Sequence, residues 1–373
     1  FLYNQVINTP TLTLPHPGGG NFGSPSISPP LAGGGWGEGD KKANSYTINL
    51  TNIERIMPYN LLVILGATAS GKTRVAVQVA RALTGEIISA DSRQVYRGMD
   101  IGTGKDLGEY GSVPYHLIDI VDPGYEFNVF EFQRRFGEVF REIQARGHLP
   151  LLAGGTGMYL DSVLRGYQLM EVPENISLRN ELAALGNDDL AARLKQINPR
   201  LHNTTDLMDR NRLIRAIEIA EFQREAQNEL QLPELSPIVF GIKWEREILR
   251  LRITNRLKGR LSHGLIEEVD RLHQTGIPWD TLEFYGLEYR YVAQYLKGAL
   301  NKNDMFQKLN SAILQFAKRQ ETWFRRMERQ GIIIHWLEGG KDPAGSILQK
   351  LQNNHFASST GPCGDRAKLQ IPL

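Results

Sequence analysis

Between residues 57 and 171 short apolar runs alternate with longer stretches of helical spacing. Leu61-Leu62-Val63-Ile64-Leu65 reads as a buried parallel strand. Glu86-Ile87-Ile88-Ser89, His116-Leu117-Ile118-Asp119-Ile120 and Leu149-Pro150-Leu151-Leu152-Ala153 follow, each ending at a polar or glycine-rich turn. Val75, Val79, Ala82 and Leu83 trace a helical stripe behind the first strand, and Phe132, Phe136, Val139, Phe140 and Ile143 trace another between Asn128 and Arg146. This alternation predicts an α/β fold, a parallel sheet flanked by helices. Ligands of such sheets collect beyond the strand C-termini, where Thr68, Asp91 and Gly154-Gly155-Thr156 fall.

Beyond Pro173 the pattern turns helical, with candidate helices over 178–185, 188–197 and 210–224. A break at Leu232-Pro233-Glu234-Leu235-Ser236-Pro237 precedes a further strand, Ile238-Val239-Phe240-Gly241-Ile242. Helices then run from Arg246 to Arg329, and Ile332-Ile333-Ile334 reads as a last strand. The expected organisation is a core over 57–171, a helical insertion over 172–235, core completion with a helical part over 236–340, and a C-terminal tail over 341–373 that reads as disordered after His355. Residues 1–56 are rich in Gly, Pro and Ser without helical or strand period, and such a stretch buries too little apolar surface to offset its ordering entropy. No methionine precedes Met57, so we expect 1–56 to be disordered, translated upstream sequence.

Composition narrows the classes. A chain of 373 residues with 41% hydrophobic positions is ordinary for a globular protein, and no apolar run approaches the ~20 residues of a membrane span. The formal net charge of +2 predicts no polyanionic partner by itself. The single cysteine, Cys363, excludes an internal disulfide and a cysteine-based zinc site within one chain and fits a cytoplasmic location.

The candidate chemistry starts at Gly66-Ala67-Thr68-Ala69-Ser70-Gly71-Lys72-Thr73. Placed between strand and helix, this is a P-loop, so the core is expected to be P-loop NTPase-like. The glycines let successive N–H groups converge on phosphate oxygens at a helix N-terminus. Lys72 adds a point charge, and the Thr73 hydroxyl suits Mg²⁺. Nucleotide hydrolysis does not follow from this pattern. Asp91 follows the second strand, where it could bind Mg²⁺, accept a proton or cap a helix; position alone leaves the three on equal footing.

From Asp91-Ser92-Arg93-Gln94-Val95-Tyr96 through Gly102-Thr103-Gly104-Lys105 the chain closely resembles the tRNA dimethylallyltransferase (tRNA isopentenyltransferase) family, bacterial type. Gly154-Gly155-Thr156-Gly157-Met158-Tyr159, the block from Asn211 to Glu218 and the block from Lys318 to Arg325 extend the resemblance in the expected order. It implies transfer of a dimethylallyl group from dimethylallyl diphosphate to N6 of adenosine 37, in tRNAs reading codons that begin with U. The P-loop residues Gly66 to Thr73 would then grip diphosphate with Mg²⁺ on Thr73, Asp91 would be the general base, and Thr68 and Arg256 would act at the reacting centre, with Arg252 as second choice for Arg256. The implied contacts to the tRNA anticodon stem-loop are Asp91, Ser92, Arg93, Gln94, Thr156, Arg179, Asn211, Arg212, Arg215, Lys318, Arg319, Gln320, Thr322, Trp323 and Arg325. A monomer is expected.

Arg252, Arg256 and Arg260 are spaced by four and share a helix face; without the family the better reading is a solvated face beside Glu245 and Glu247. Lys318, Arg319, Arg325 and Arg326 surround Trp323 and Phe324, a mixture that suits single-stranded RNA, although Phe316, Trp323 and Phe324 could equally be core. Packing is the safer reading for Tyr96 and Tyr159. The run Phe284-Tyr285-Gly286-Leu287-Glu288-Tyr289-Arg290 departs from the Gly-Tyr-Arg block of many members, and a C-terminal zinc finger is absent. The rival readings are an adenylate isopentenyltransferase acting on free AMP, ADP or ATP, a P-loop small-molecule kinase, and an RNA-binding protein that has lost catalysis.

Overall fold

The computed structural model describes residues 59–359 apart from 168, 170, 171, 198–209 and 226–231. The expectation for residues 1–56 and for the end of the tail lies outside the described residues.

Six parallel strands form one sheet: β1 (Leu61–Gly66), β2 (Gly85–Ala90), β3 (Tyr115–His116), β4 (Leu149–Gly154), β5 (Pro237–Lys243) and β6 (Ile334–Glu338), in the order β3-β2-β4-β1-β5-β6. β1 lies inside the sheet and is buried on both faces, which is why its sequence is an unbroken apolar run. Its side chains alternate between two cores. Leu62 and Ile64 join the core under α1 (Lys72–Ala82), together with Val75, Val79 and Ile87. Leu61, Val63 and Leu65 join the larger core, with Phe132, Phe136 and Phe140 of α2 (Val129–Ala145) and Tyr159 and Leu160 of α3 (Gly157–Leu164).

A separate cluster holds α4 (Ile176–Ala183), α5 (Asn187–Ile197) and α6 (Arg210–Glu225) together through Leu178, Leu182, Leu190, Leu194, Leu213 and Ile217. The chain then returns to the sheet as β5. Helices α7 (Arg246–Ser262), α8 (Leu265–Gln274), α9 (Trp279–Phe284), α10 (Leu287–Leu296) and α11 (Lys302–Arg329) add to the larger core.

Three elements differ from the sequence expectation. The run His116–Ile120 is strand only at its start, because Leu117 (φ 61°) and Asp119 (φ 55°) turn the chain so that the Asp119 and Ile120 amides donate to the carbonyls of Gln94 and Val95. The last strand starts at Ile334, and Ile333 is 74% exposed. Part of the expected tail is helix α12 (Pro343–Ser359), whose Ala344, Ile347 and Leu351 are buried in the α1-side core.

Candidate active site

The P-loop joins β1 to α1 at the C-terminal edge of the sheet. Gly71 (φ 85°) immediately precedes α1 in the left-handed region that favours glycine, and no side chain caps that helix. The first-turn amides of α1 are therefore presented to an anion. Gln320 of α11, 3% exposed, braces the loop: its Oε1 accepts from the Thr68 amide at 2.8 Å and its Nε2 donates to the Gly155 carbonyl at 2.8 Å. A Cβ on Gly155 would come within 2.5 Å of that Nε2, so glycine permits the approach of α11.

One cleft is lined by Thr68, Lys72 and Thr73 of the P-loop, Asp91 and Gln94 after β2, Thr103 and Gly104, Arg256 of α7, and Phe316 and Gln320 of α11. Burial lowers the Lys72 ammonium to about 8; Asp91 opposes the shift, while Arg256 and Arg260 reinforce it. The three arginines spaced by four all reach this edge. Arg252 donates to the Ala69 carbonyl at 2.9 Å, with its guanidinium 4.2 Å from the centroid of the Trp244 ring, and Trp244 Nε1 in turn donates to the Ser70 carbonyl at 2.8 Å. Arg256 donates to the Gly104 carbonyl at 3.3 Å and to Asp106 at 2.8 Å. Arg260 donates to the Gly102 carbonyl at 3.1 Å and to Glu288 at 2.8 Å. Burial and mutual repulsion with Arg256 push both Arg252 and Arg260 below their ordinary range. The solvated-face reading holds for Arg250, paired with Glu247 at 3.6 Å, and fails for these three. Partly buried cations clustered at one edge favour binding of a polyanion.

The carboxylate sits on the opposite wall. Asp91 follows β2, and its Oδ1 accepts from the Arg93 amide at 2.9 Å, which fixes the side chain in a turn. The Ser92 amide donates to Thr156 Oγ1 at 3.0 Å and the Thr156 amide to the Ala90 carbonyl at 3.1 Å, so the ends of β2 and β4 are tied together. Gln94 is buried; it accepts from Ser89 at 3.0 Å and donates to the Gly104 carbonyl at 3.2 Å. Glu268, 1% exposed, accepts from the amides of Asp100, Ile101 and Gly102 and from the Tyr289 hydroxyl, and it fixes the loop that carries Thr103 and Gly104. The departing motif at 284–290 thus serves packing here: Tyr285 lies 4.6 Å from Tyr96, and Phe284 lies under the Arg93 guanidinium at 5.5 Å.

The remaining expected contacts fall on two other surfaces. On α11, Lys318, Thr322 and Arg325 are exposed, Arg319 is half-buried over the Phe316 ring, and Trp323 is half-buried beneath Arg326. Phe324 is fully buried, so packing describes it, as it does Tyr96 and Tyr159. In the insertion, Arg179 and Arg215 both pair with buried Glu218, at 2.7 and 3.0 Å, Arg212 is 4% exposed, and Asn211 is exposed. None of these four lines the cleft. Sequence reasoning passed over Ile87, Ser89, Thr103, Tyr110 and Ala153, which do. Alternation along β2 could have found two of them, since Ile87, Ser89 and Asp91 share a face.

Among the described residues no group of three or more His, Cys, Asp or Glu side chains could hold a metal ion. The cleft offers the Thr73 hydroxyl and the Asp91 carboxylate, a sparse oxygen set that suits Mg²⁺, which keeps waters and takes substrate phosphates as ligands. Among the described residues no helix is long and apolar enough to cross a membrane.

Comparison with known proteins agrees with this geometry. The family model described as IPP transferase matches residues 94–327, and one described as isopentenyl transferase matches residues 59–110. A tRNA dimethylallyltransferase 1 of Geotalea uraniireducens is 66% identical over 298 residues, covering 80% of this chain and 99% of that protein. A second, of Geotalea daltonii, is 65% identical over 305 residues with coverage of 80% and 99%. The crystal structure of a full-length tRNA isopentenylpyrophosphate transferase from Bacillus halodurans matches with a TM-score of 0.59 at 33% identity, over 81% of this chain and 99% of that one. The sheet, the P-loop and the sequence matches together place this chain in the IPP transferase family, with its P-loop NTPase-like fold.

Proposed function

We propose that this cleft transfers a dimethylallyl group from dimethylallyl diphosphate to N6 of adenosine 37 in tRNAs reading codons that begin with U. The observation that carries the reading is the meeting of a P-loop, the cations Lys72 and Arg256 and the strand-end carboxylate Asp91 in one cleft. The N6–C1 bond forms, the C1–O bond breaks, the N6 proton passes to Asp91 and diphosphate departs. Charge grows on the diphosphate as the C–O bond lengthens, so the α1 amides, Lys72 and Arg256 stabilise the transition state more than the ground state. Mg²⁺, held by Thr73 and the diphosphate itself, would add Lewis-acid stabilisation of the leaving group. Asp91, fixed by the Arg93 amide, is oriented to accept the proton as the weakly nucleophilic amine attacks.

Adenosine 37 lies in a stacked anticodon loop and must be drawn out to reach the cleft. The exposed Lys318, Thr322 and Arg325, with Arg319 and Trp323 beside the cleft-lining Phe316, suit the backbone and bases of that loop. The insertion supplies a second surface through Asn211 and the arginines around Glu218. The names of the similar proteins support tRNA over a free nucleotide as acceptor. The reading places a monomeric enzyme in the cytoplasm, with one anticodon stem-loop bound. Its test offers labelled dimethylallyl diphosphate and Mg²⁺ with an anticodon stem-loop or with AMP. Prenylated stem-loop is expected, with turnover lost in Asp91→Ala while RNA affinity persists. Label in AMP alone would overturn the tRNA assignment, ATP-dependent phosphorylation of a metabolite without prenylation would favour a kinase, and near-normal turnover by the variant would remove Asp91 as the base.

A further inference from the structure

Of the three arginines at this edge, Arg256 alone lines the cleft, and its guanidinium already holds an anion. Both of its bonds use one nitrogen, Nη2, which donates to the Gly104 carbonyl at 3.3 Å and to Asp106 Oδ2 at 2.8 Å. The turn that carries Asp106 is anchored by its neighbour. Lys105, fully buried, donates to the Tyr96 carbonyl at 2.7 Å, to Asp100 at 2.6 Å and to Asp119. Asp106 follows at φ 46°, in the left-handed region, so consecutive residues send an ammonium into the protein and a carboxylate out to Arg256. The other arginine–carboxylate pair of this edge is different in kind. Arg260 and Glu288 have side chains 12% and 17% exposed, against 32% and 50% for Arg256 and Asp106. A buried pair is expensive to break because a charge is left without its partner, whereas a half-exposed carboxylate has water to turn into. The Arg256–Asp106 pair is therefore the exchangeable one.

We propose that Asp106 takes the place of a phosphate on Arg256 in the empty cleft and weakens the hold on diphosphate. The inference rests on the transfer reading above. A carboxylate and a phosphate offer a guanidinium the same kind of anionic oxygen. Diphosphate arriving at the P-loop either takes Nη2 and sends Asp106 into water, or takes the remaining nitrogens beside a carboxylate that repels it. Both routes lower affinity while Lys72 and the α1 amides stay in place. The donor and the departing product share the diphosphate group, so Asp106 loosens both, and a cleft built to grip a polyanion keeps a means of letting it go.

The test measures binding of inorganic diphosphate with Mg²⁺ by calorimetry to wild type, Asp106→Asn, Asp106→Gly and Glu247→Gln. Asparagine and glycine both accept the left-handed backbone, so either carries the comparison if the other loses its fold. Glu247 pairs with Arg250 on α7 and does not line the cleft, so it controls for net charge. At low salt both Asp106 variants should bind about twofold to fivefold more tightly than wild type, the scale of a half-exposed ion pair. The gap should narrow at high salt, which screens such a pair, and Glu247→Gln should bind as wild type does. Unchanged or weaker binding by the Asp106 variants would overturn the proposal, weaker binding being the result expected if the carboxylate holds Mg²⁺ instead. Equal tightening by Glu247→Gln would reduce the effect to net charge and overturn it as well. Failure of wild type to bind diphosphate at all would instead overturn the transfer reading.

Discussion

Lys72 keeps its charge in surroundings that disfavour it: burial lowers the ammonium to about 8, and Arg256 and Arg260 push in the same direction. In the unfolded chain the same amine titrates near its ordinary 10.5. Between these values the unfolded state binds the extra proton, so this group's contribution to stability rises with pH, and below about 8 its penalty is fully present. The empty protein with Lys72→Met should therefore melt higher than wild type at about pH 7, with a gap that narrows by about pH 9.5. Thermal denaturation at the two pH values checks this, and a gap indifferent to pH would contradict it. On the proposed reading a bound diphosphate would offset the same penalty, so a residue costly to the empty fold would be useful to the loaded one. At this scale the P-loop was legible because its spacing is dictated by backbone geometry; the place of Asp91 at a strand end was legible too, but its role came only from the family resemblance. Gln320 was named only through the family resemblance, as a tRNA contact; in the fold it is 3% exposed and both ends of its amide brace the P-loop and the Gly155 turn.

Among the elements, α7 and α11 supply the arginines that join Lys72 of α1 near the P-loop edge. The spacing of Arg252, Arg256 and Arg260 showed a shared face, but not that the carbonyls of Ala69, Gly104 and Gly102 would receive it. On α11 the exposed Arg325 and half-buried Arg319 are expected to meet RNA phosphates. Charge removal at both should weaken stem-loop binding and reduce its salt slope by roughly one for each phosphate no longer neutralised. Binding measured across a salt series reports this, and unchanged slopes would take the pair out of the RNA surface. Two elements that sequence reading misplaced have different causes. The apolar run at His116–Ile120 looks like a strand but serves a turn that closes on Gln94 and Val95. The three buried residues of α12 lie at helical spacing within a polar stretch, a signal too sparse to separate from a tail.

Across the whole molecule, the parallel sheet gathers strand ends from distant parts of the sequence along one edge. β1 brings the P-loop and β2 brings Asp91; β4 brings the Gly154 turn, and the long α11 crosses beside them. Alternating strands and helices made this edge legible in advance, whereas no local pattern announces that Tyr110, its ring 4.7 Å from that of Tyr115, comes to line the same cleft as Ile87. The separate apolar cluster of α4, α5 and α6 gives the insertion its own core. On the proposed reading the P-loop cradles a leaving diphosphate and spends no nucleotide. Diphosphate release from dimethylallyl diphosphate, followed with a stem-loop carrying adenosine 37 and with one whose purine at that position lacks the N6 amine, tests it most directly. Release matched one to one by prenylated product is expected with the first and none above background with the second; release that is indifferent to the amine, or that requires ATP, would rule the reading out.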